Sequence, residues 1–291
     1  QLTSLDVRNA NTIFWINSTG NYNLYCIDID TVPNYTNIDP WTSLSNDCQS
    51  GIPGCTDTTN INYNPNATVN DGSCIYAKTY VPDDNFEAYL EANGMGDGIL
   101  NNDSVYTVLI EDAYSLYIAG DSISDLTGIE AFTSLTLLDI SQNLLTSLDV
   151  SQNTNLYYLV CSNNLLTSLD VSQNTDLLSL NCSANQLTSL NVDQNTNLHY
   201  LYCNNNQLTS LDVGQNTSLY RLYCYNNQLT SLDLRNINTN TYWSINTTSN
   251  YNLYCIDIDT ANVPSNINID TWTSLSNNCQ SEIPGCTDTT N

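Results

Sequence analysis

Residues 145–165 read LTSLDVSQNTNLYYLVCSNNL, and the same phrase returns as LTSLDVSQNTDLLSLNCSANQ at 166–186, LTSLNVDQNTNLHYLYCNNNQ at 187–207 and LTSLDVGQNTSLYRLYCYNNQ at 208–228. The period is 21 residues. Self-similarity at such a period marks a solenoid, because one unit of this size cannot bury an apolar face alone and must stack on its neighbours. Within each copy, L-x-x-L-x-C-x-x-N sets three apolar residues on one side of a short strand and ends on an Asn able to hydrogen-bond the backbone of the turn. LTSLDV supplies a second short apolar run, expected as the return strand on the opposite wall. LTLLDISQN, from Leu135, reads as an ancestral fifth coil of the same series, and LTSLDL at Leu229 closes it.

This repeat resembles a leucine-rich repeat of the short bacterial kind. A larger period surrounds it: residues 1–60 reappear from Gln228 to Asn291, with the offset widening from 227 to 231 residues through small insertions. One unit is therefore 231 residues, and the chain reads as one unit plus an overlap, a window onto a longer tandem array.

Charge narrows the function. The 291 residues carry 30 Asp and Glu against 4 Lys and Arg, a net charge of -26. Nucleic-acid binding is excluded, since neutralising phosphates needs clustered cations and only Arg8, Lys78, Arg221 and Arg235 exist. No apolar run is long enough to insert in a membrane, and the first residues do not form a secretion signal. Hydrophobic residues at 41% suffice for a core, while charged residues at 12% leave a surface dominated by Asn, Thr, Ser and Gln.

Eleven Cys would ordinarily imply a free thiol or an intermolecular bridge. Here Cys161, Cys182, Cys203 and Cys224 recur at the inward position of the coil and are expected to stack as a buried ladder of free thiols, with ladder disulfides as the alternative. Cys26 with Cys48, Cys255 with Cys279, and Cys55 with Cys74 make three natural disulfides, and Cys286 is the copy of Cys55. Three disulfides imply an oxidising, extracellular location.

The expected organisation follows. Residues 1–50 are the tail and cap of a preceding solenoid, containing Trp15 and Trp41. Residues 51–76 form a linker module too small for its own core, held by a Cys55–Cys74 bridge. Residues 77–281 are a complete solenoid domain: an N-terminal cap at 77–130, coils at 131–234 and a disulfide-linked C-terminal cap at 235–281. Residues 282–291 begin the next linker. In the N-terminal cap, Asp83 or Asp84 can cap a helix through NFEAYLEAN, with Phe86, Leu90 and Tyr89 on its apolar face and Gly94 stopping it.

TYVPDDNFEAYLEANGMGDG, ISDLTGIEAFTSLTLLDIS, the LTSLDVSQNT coils and NLYCIDID with WTSLSNNC together resemble the secreted leucine-rich repeat surface proteins of Bacteroidota. GCTDTTNINYNPNATVNDGSC is similar to a Cys-bracketed spacer of large surface proteins from the same bacteria. The resemblance implies the α/β-type repeat fold, mostly short strands with an irregular convex side. It also implies export by the type IX pathway and display at the cell surface, often within giant repetitive proteins of adhesion or gliding.

Candidate sites are few. A concave face would display Tyr157, Tyr158, Tyr200, Tyr202, Tyr220, Arg221, Tyr223 and Tyr225, with His199 among them, able to stack on sugar rings, pack on a protein or meet a neighbouring copy. The ordinary alternative is that Tyr favours exposed strands. Asp149, Asp170, Asp212 and Asp233, interrupted by Asn191, would stack on the opposite wall and repel by about 0.8 kcal/mol per neighbouring pair in water, a solvated acidic face rather than a site. Calcium is the cofactor that suits this composition, with Asp57, Asn62, Asn64, Asn66, Asn70 and Asp71 before Gly72 as one ligand set and Asp97, Asn101 and Asp103 as a second; turn chemistry explains the same residues. Asp-Ser and Asp-Thr pairs at Thr31, Thr58, Ser104, Ser122, Thr260 and Thr289 look like the O-glycosylation signal of Bacteroidota. Nothing resembles a catalytic constellation: there is one His and no Gly-rich phosphate loop, and the paired Asp28/Asp30 and Asp257/Asp259 belong to copied segments.

Two functions fit. The first is a structural repeat unit of a long extracellular fibre or giant cell-surface adhesin, partnered by other copies of the same chain, for attachment, gliding or cell contact. The second is a binding module that recognises a surface glycan or protein through the Tyr-rich face.

Overall fold

A computed structural model of the chain describes residues 2, 5–8, 15–21, 24–30, 35–39, 42–46, 48, 52–58, 60–237, 244–263 and 266–279. Trp41, Thr31, Thr289, Cys286, the side chain of Trp15 and all of 282–291 lie outside the described residues. The chain divides into two compact units, 1–111 and 112–291. The division runs through the segment 77–130 expected as an N-terminal cap.

In the first unit, β1 (Leu5–Asp6), β3 (Cys26–Asp28) and β5 (Ser43–Ser45) form one parallel wall, and β2 (Trp15–Asn17) and β4 (Tyr35–Asn37) form another. Buried Ile16, Leu24, Ile27 and Ile29 fill the space between them. The linker follows with β6 (Pro53–Gly54) paired to β7 (Val69–Asn70), and its two ends are joined by the Cys55–Cys74 disulfide. A Cβ on Gly72 would meet the Tyr25 ring at 2.7 Å, so only glycine lets the linker backbone lie against that ring. Next come an antiparallel pair, β8 (Lys78–Tyr80) with β9 (Ser104–Tyr106), and the helix α1 (Asp84–Ala92). Asp83 is the N-cap: its carboxylate accepts the N–H groups of Asn85 and Phe86. Phe86 and Leu90 are fully buried, Tyr89 half-buried, and Gly94 ends the helix at φ +73.

The second unit is built on one parallel sheet of eight in-register strands. In order these are β10 (Ser115–Tyr117), β11 (Leu137–Asp139), β12 (Tyr158–Val160), β13 (Ser179–Asn181), β14 (Tyr200–Tyr202), β15 (Arg221–Tyr223), β16 (Ser244–Asn246) and, beyond β17 (Cys255–Asp257), β18 (Asn266–Asn268). The central residue of each strand points inward, stacking Leu116, Leu138, Leu159, Leu180, Leu201 and Leu222 at no more than 2% exposure. Each such leucine contributes about 2 kcal/mol by burial. Cys161, Cys182, Cys203 and Cys224 stack in the next inward column as free, fully buried thiols, the expected ladder. Burial pushes the thiols of Cys182 and Cys224 up to about 12 and raises those of Cys161 and Cys203 well above the usual thiol value.

Asparagines close the turns. Asn164 donates its Nδ2 to the carbonyls of Ile140 and Cys161 and accepts the Leu145 N–H, and Asn185, Asn206, Asn227 and Asn250 repeat this coil by coil. A second ladder, Asn153, Asn174, Asn195 and Asn216, serves the opposite wall and escaped the sequence reading. The residue before each Asn of the first ladder is left-handed, at Asn163, Ala184, Asn205, Asn226 and Ser249.

Two readings change. LTLLDISQN, which spells like the return wall, places its strand at 137–139 in register with 158–160, on the eight-stranded sheet. The two halves of a coil share one pattern, L-x-x-L-x-(V/C)-x-x-N, so spelling alone does not say which wall a copy joins. The segment 235–281 also continues the sheet, through β16 and β18, while β17 and β19 (Ser274–Ser276) pair on the other wall beside a bridge from Asp233 to Asp257. Both disulfides of the copied segments form, Cys26–Cys48 and Cys255–Cys279.

Candidate ligand-binding face

On a sheet whose central residues point in, the flanking residues of each three-residue strand point out. Tyr158, Tyr200, Tyr202, Arg221 and Tyr223 hold such positions. Tyr157, His199 and Tyr220 sit just before their strands and Tyr225 beyond β15. The expected stripe is broken, because β13 carries Ser179 and Asn181 between Tyr158 and Tyr200. Tyr157 and Tyr158, both over 40% exposed, thus stand apart from a denser cluster on β14 and β15.

That cluster is knit by rings. His199 and Tyr220 lie 4.9 Å apart at 32°, and Tyr202 and Tyr223 meet edge-on at 5.4 Å. Arg221 donates from Nη1 to the Tyr202 hydroxyl at 3.1 Å, and its guanidinium carbon lies 5.9 Å from the Tyr200 ring centre and 5.7 Å from that of Tyr223. Both distances fall within cation–π range. Tyr202, accepting that hydrogen bond, raises the pKa of Arg221 above the usual arginine value. His199 Nδ1 is 2.7 Å from the Asn197 carbonyl, and an oxygen acceptor requires the proton on Nδ1. Tyr223 Oη and Ser244 Oγ are hydrogen-bonded at 3.2 Å.

The other three cations are ion-paired: Arg8 with Asp6 at 2.6 Å, Lys78 with Asp97 at 2.5 Å and Arg235 with Asp233 at 2.6 Å. Among the described residues Arg221 alone has no carboxylate partner. Spacing shows part of this, since Arg8 and Arg235 pair with the Asp two residues before each and Arg221 has no such neighbour; that the adjoining strands supply none depends on which coils lie side by side.

The remaining candidates are placed as follows. In the linker, Asp57 accepts from Asn60, Asn62 accepts from the Ile75 N–H, Asn64 from that of Asn66, Asn70 from that of Gly72 and Asp71 from that of Ser73. Four of those oxygens shape turns, and that of Asn62 ties the linker to its far end. The second calcium set is regrouped: Asp97 is buried against Lys78 and Asn102, whereas Asp103 converges with Asp84 and Glu87 within 4.8 Å. Glu87, on α1, is fully buried and accepts the N–H groups of Asn102 and Asp103, a role the helix pattern did not reveal. On the acidic wall, Asp149 and Asp170 face each other across a bridge, yet both carboxyls titrate low. The backbone N–H groups of Ser151 and Ser172 outweigh the repulsion that the stacking alone suggests. Of the glycosylation candidates, Thr58 and Ser122 are exposed, the Ser104 hydroxyl is engaged with Asn102, and Thr260 accepts from Asn277.

A family model described as leucine rich repeats (2 copies) matches residues 196–236. No curated protein matches in sequence. Among solved structures, the functional domain of InlJ from Listeria monocytogenes, described as including a cysteine ladder, is 24% identical over 69% of this chain and 72% of its own, with a TM-score of 0.28. Internalin C2 of the same organism is 20% identical over 70% of this chain and 100% of its own, at 0.47. A leucine-rich repeat protein of Leptospira interrogans is 21% identical over 58% and 55%, at 0.41. Among the described residues no helix is long and apolar enough to cross a membrane. Repeat pattern, coil geometry and the matched repeat model agree, and the chain folds as a leucine-rich repeat solenoid.

Proposed function

We propose that this chain is a structural repeat unit of a long extracellular fibre or giant cell-surface adhesin, non-enzymatic and exported by the type IX route, serving attachment, gliding or cell contact. The observation behind this reading is that the duplicated segments are built alike in detail. In both, an Asp of the CID strand accepts the N–H of the second cystine residue, Asp28 from Cys48 and Asp257 from Cys279. In both, a Thr hydroxyl donates to a Leu carbonyl, Thr42 to Leu24 and Thr273 to Leu253. A single-purpose receptor has no need of a second copy, whereas a fibre gains length and mechanical redundancy from it. Each unit would be a capped solenoid joined to the next by the disulfide-held linker, with calcium stiffening that linker.

Cryo-electron microscopy of the native protein with and without a chelator tests this. An ordered fibre repeating once per unit supports it, and loss of order on chelation assigns calcium its place. Isolated beads without regular spacing in both conditions refute the fibre.

A second reading, recognition of a glycan or protein by the sheet face, is favoured by the Tyr and Arg221 cluster of β14 and β15. Replacing Tyr158, Tyr200, Tyr202 and Tyr223 by Ala separates the two: attachment lost with fibres intact favours binding, and fibres lost favours assembly through that face.

A further inference from the structure

We infer that the sheet face centred on Arg221 binds an acidic saccharide, one in which a single uronate-type carboxylate is set among neutral sugar rings. The inference rests on the binding reading above and names its ligand.

Charge comes first. In a chain with 30 acidic residues and 4 basic ones, every cation is expected to find a carboxylate, and three do. The sheet strands on either side of Arg221 offer none. The flanking positions of the strands from β12 through β16, and of β18, include no Asp or Glu; the nearest strand that has one is β11, at Asp139. This stretch of sheet is an island without negative charge on a molecule of net charge -26.

The guanidinium is also held ready. It is exposed, spends one N–H on the Tyr202 hydroxyl, and is flanked by the Tyr200 and Tyr223 rings. A guanidinium has five N–H donors in a planar fork that matches a carboxylate edge, so most of its hydrogen-bonding capacity is open. Its two ring neighbours restrict its motion, and less entropy is lost when a ligand binds.

The surroundings select a sugar over a peptide. Tyr200 and the His199–Tyr220 pair offer flat ring faces, and Ser179 and Asn181, half-buried on the neighbouring strand, offer a hydroxyl and an amide. Amphipathic rings interleaved with small polar side chains suit the apolar face and hydroxyl rim of a pyranose. The net charge sets the charge density of the ligand. A polyanion is repelled at long range, whereas a sparsely charged chain gains one short-range pair without that penalty.

The experiment uses the full chain with a trisaccharide bearing one glucuronate, the same trisaccharide reduced at its carboxyl group, and a short peptide with one Glu, titrated by calorimetry at fixed salt. The wild type is expected to bind the glucuronate form at least 10-fold more tightly than the reduced form. Arg221→Gln should bring that ratio to about one, and Arg221→Lys should keep part of it. Tyr200→Ala should weaken both saccharides together. Arg221 is exposed, so unchanged thermal melting of the variants serves as the folding control.

Equal binding of both saccharides, abolished by Tyr200→Ala, would overturn the acidic ligand and leave the binding face standing. A ratio unchanged in Arg221→Gln would overturn Arg221 as the anion site. Tighter binding of the peptide than of the glucuronate form would overturn the saccharide. No binding of any probe, with cell attachment indifferent to Tyr200→Ala, would sink the binding reading itself.

Discussion

Replacing Asn206 by Ala should be among the most damaging single changes in the coils, and the structure says by how much more than its counterpart on the other wall. Asn206 is buried, donates to the carbonyls of Cys182 and Cys203 at 3.0 and 3.1 Å, and accepts the Leu187 N–H at 3.0 Å. Both carbonyls keep a partner after its loss, from Asn185 and Asn227. Leu187 N–H keeps none and is stranded in the interior. Two weakened carbonyls cost about 1 kcal/mol each and an orphaned buried donor about 1–3 kcal/mol more, a total of about 3–5 kcal/mol.

Asn195, on the second ladder, donates to Val171 and Asn174 in the same way, but its Oδ1 accepts no hydrogen bond from the protein. Asn195→Ala should therefore cost only about 2 kcal/mol. Urea unfolding of the two variants gives the difference, and hydrogen exchange at the Leu187 amide locates it: that amide should lose protection in Asn206→Ala and keep it in Asn195→Ala. Equal losses would refute the reasoning, since they would mean the second ladder carries an acceptor load of its own.

Other outcomes follow from the same geometry. Ala184 is left-handed at φ +54 where three other coils place Asn, so Ala184→Asn should stabilise the domain by about 1 kcal/mol, read as a raised urea midpoint with unchanged slope. The four ladder thiols should resist an aqueous thiol reagent in the native chain and all react in denaturant; native reactivity would contradict their burial. Acid should destabilise the chain: Asp71, Asp97, Asp149, Asp170 and Asp233 titrate below the ordinary value, so their stabilisation is present above about pH 4 and lost as pH falls through their lower folded values. Asp39, raised by burial, acts in the opposite direction, and a stability rising on acidification would show that it outweighs the five.

Much of this molecule is legible in its spelling, because a solenoid repeats its contacts at the spacing of its sequence. Each inward Leu meets the Leu 21 residues away, so the column of leucines, the thiol ladder and the turn asparagines can be read from one copy and multiplied. The three disulfides are equally visible, since Cys26 and Cys48 recur together as Cys255 and Cys279, and Cys55 and Cys74 bracket the linker. The helix at 84–92 announced itself through Asp83, Phe86, Leu90 and Gly94.

What the spelling left open are the relations that two coils make jointly. The wall joined by LTLLDISQN was ambiguous because both halves of a coil obey one pattern, and only strand pairing resolves it. Nothing in the helix pattern marks Glu87, whose carboxylate receives the N–H groups of Asn102 and Asp103 only once their loop is folded beside it. Asp149 and Asp170 read as repelling neighbours until each is seen capped by its own turn. Above all, Arg8 and Arg235 show their Asp partners two residues back, but Lys78 finds Asp97 only across the fold, so the local sequence alone does not tell whether Arg221 is paired. Its lack of a carboxylate partner is a property of the strands stacked on either side of it. Periodicity determined which residues are inside, because burial repeats with the coil. The tertiary structure decided that Arg221 is left without a carboxylate, because the strands stacked on either side of it are not contained in its own repeat.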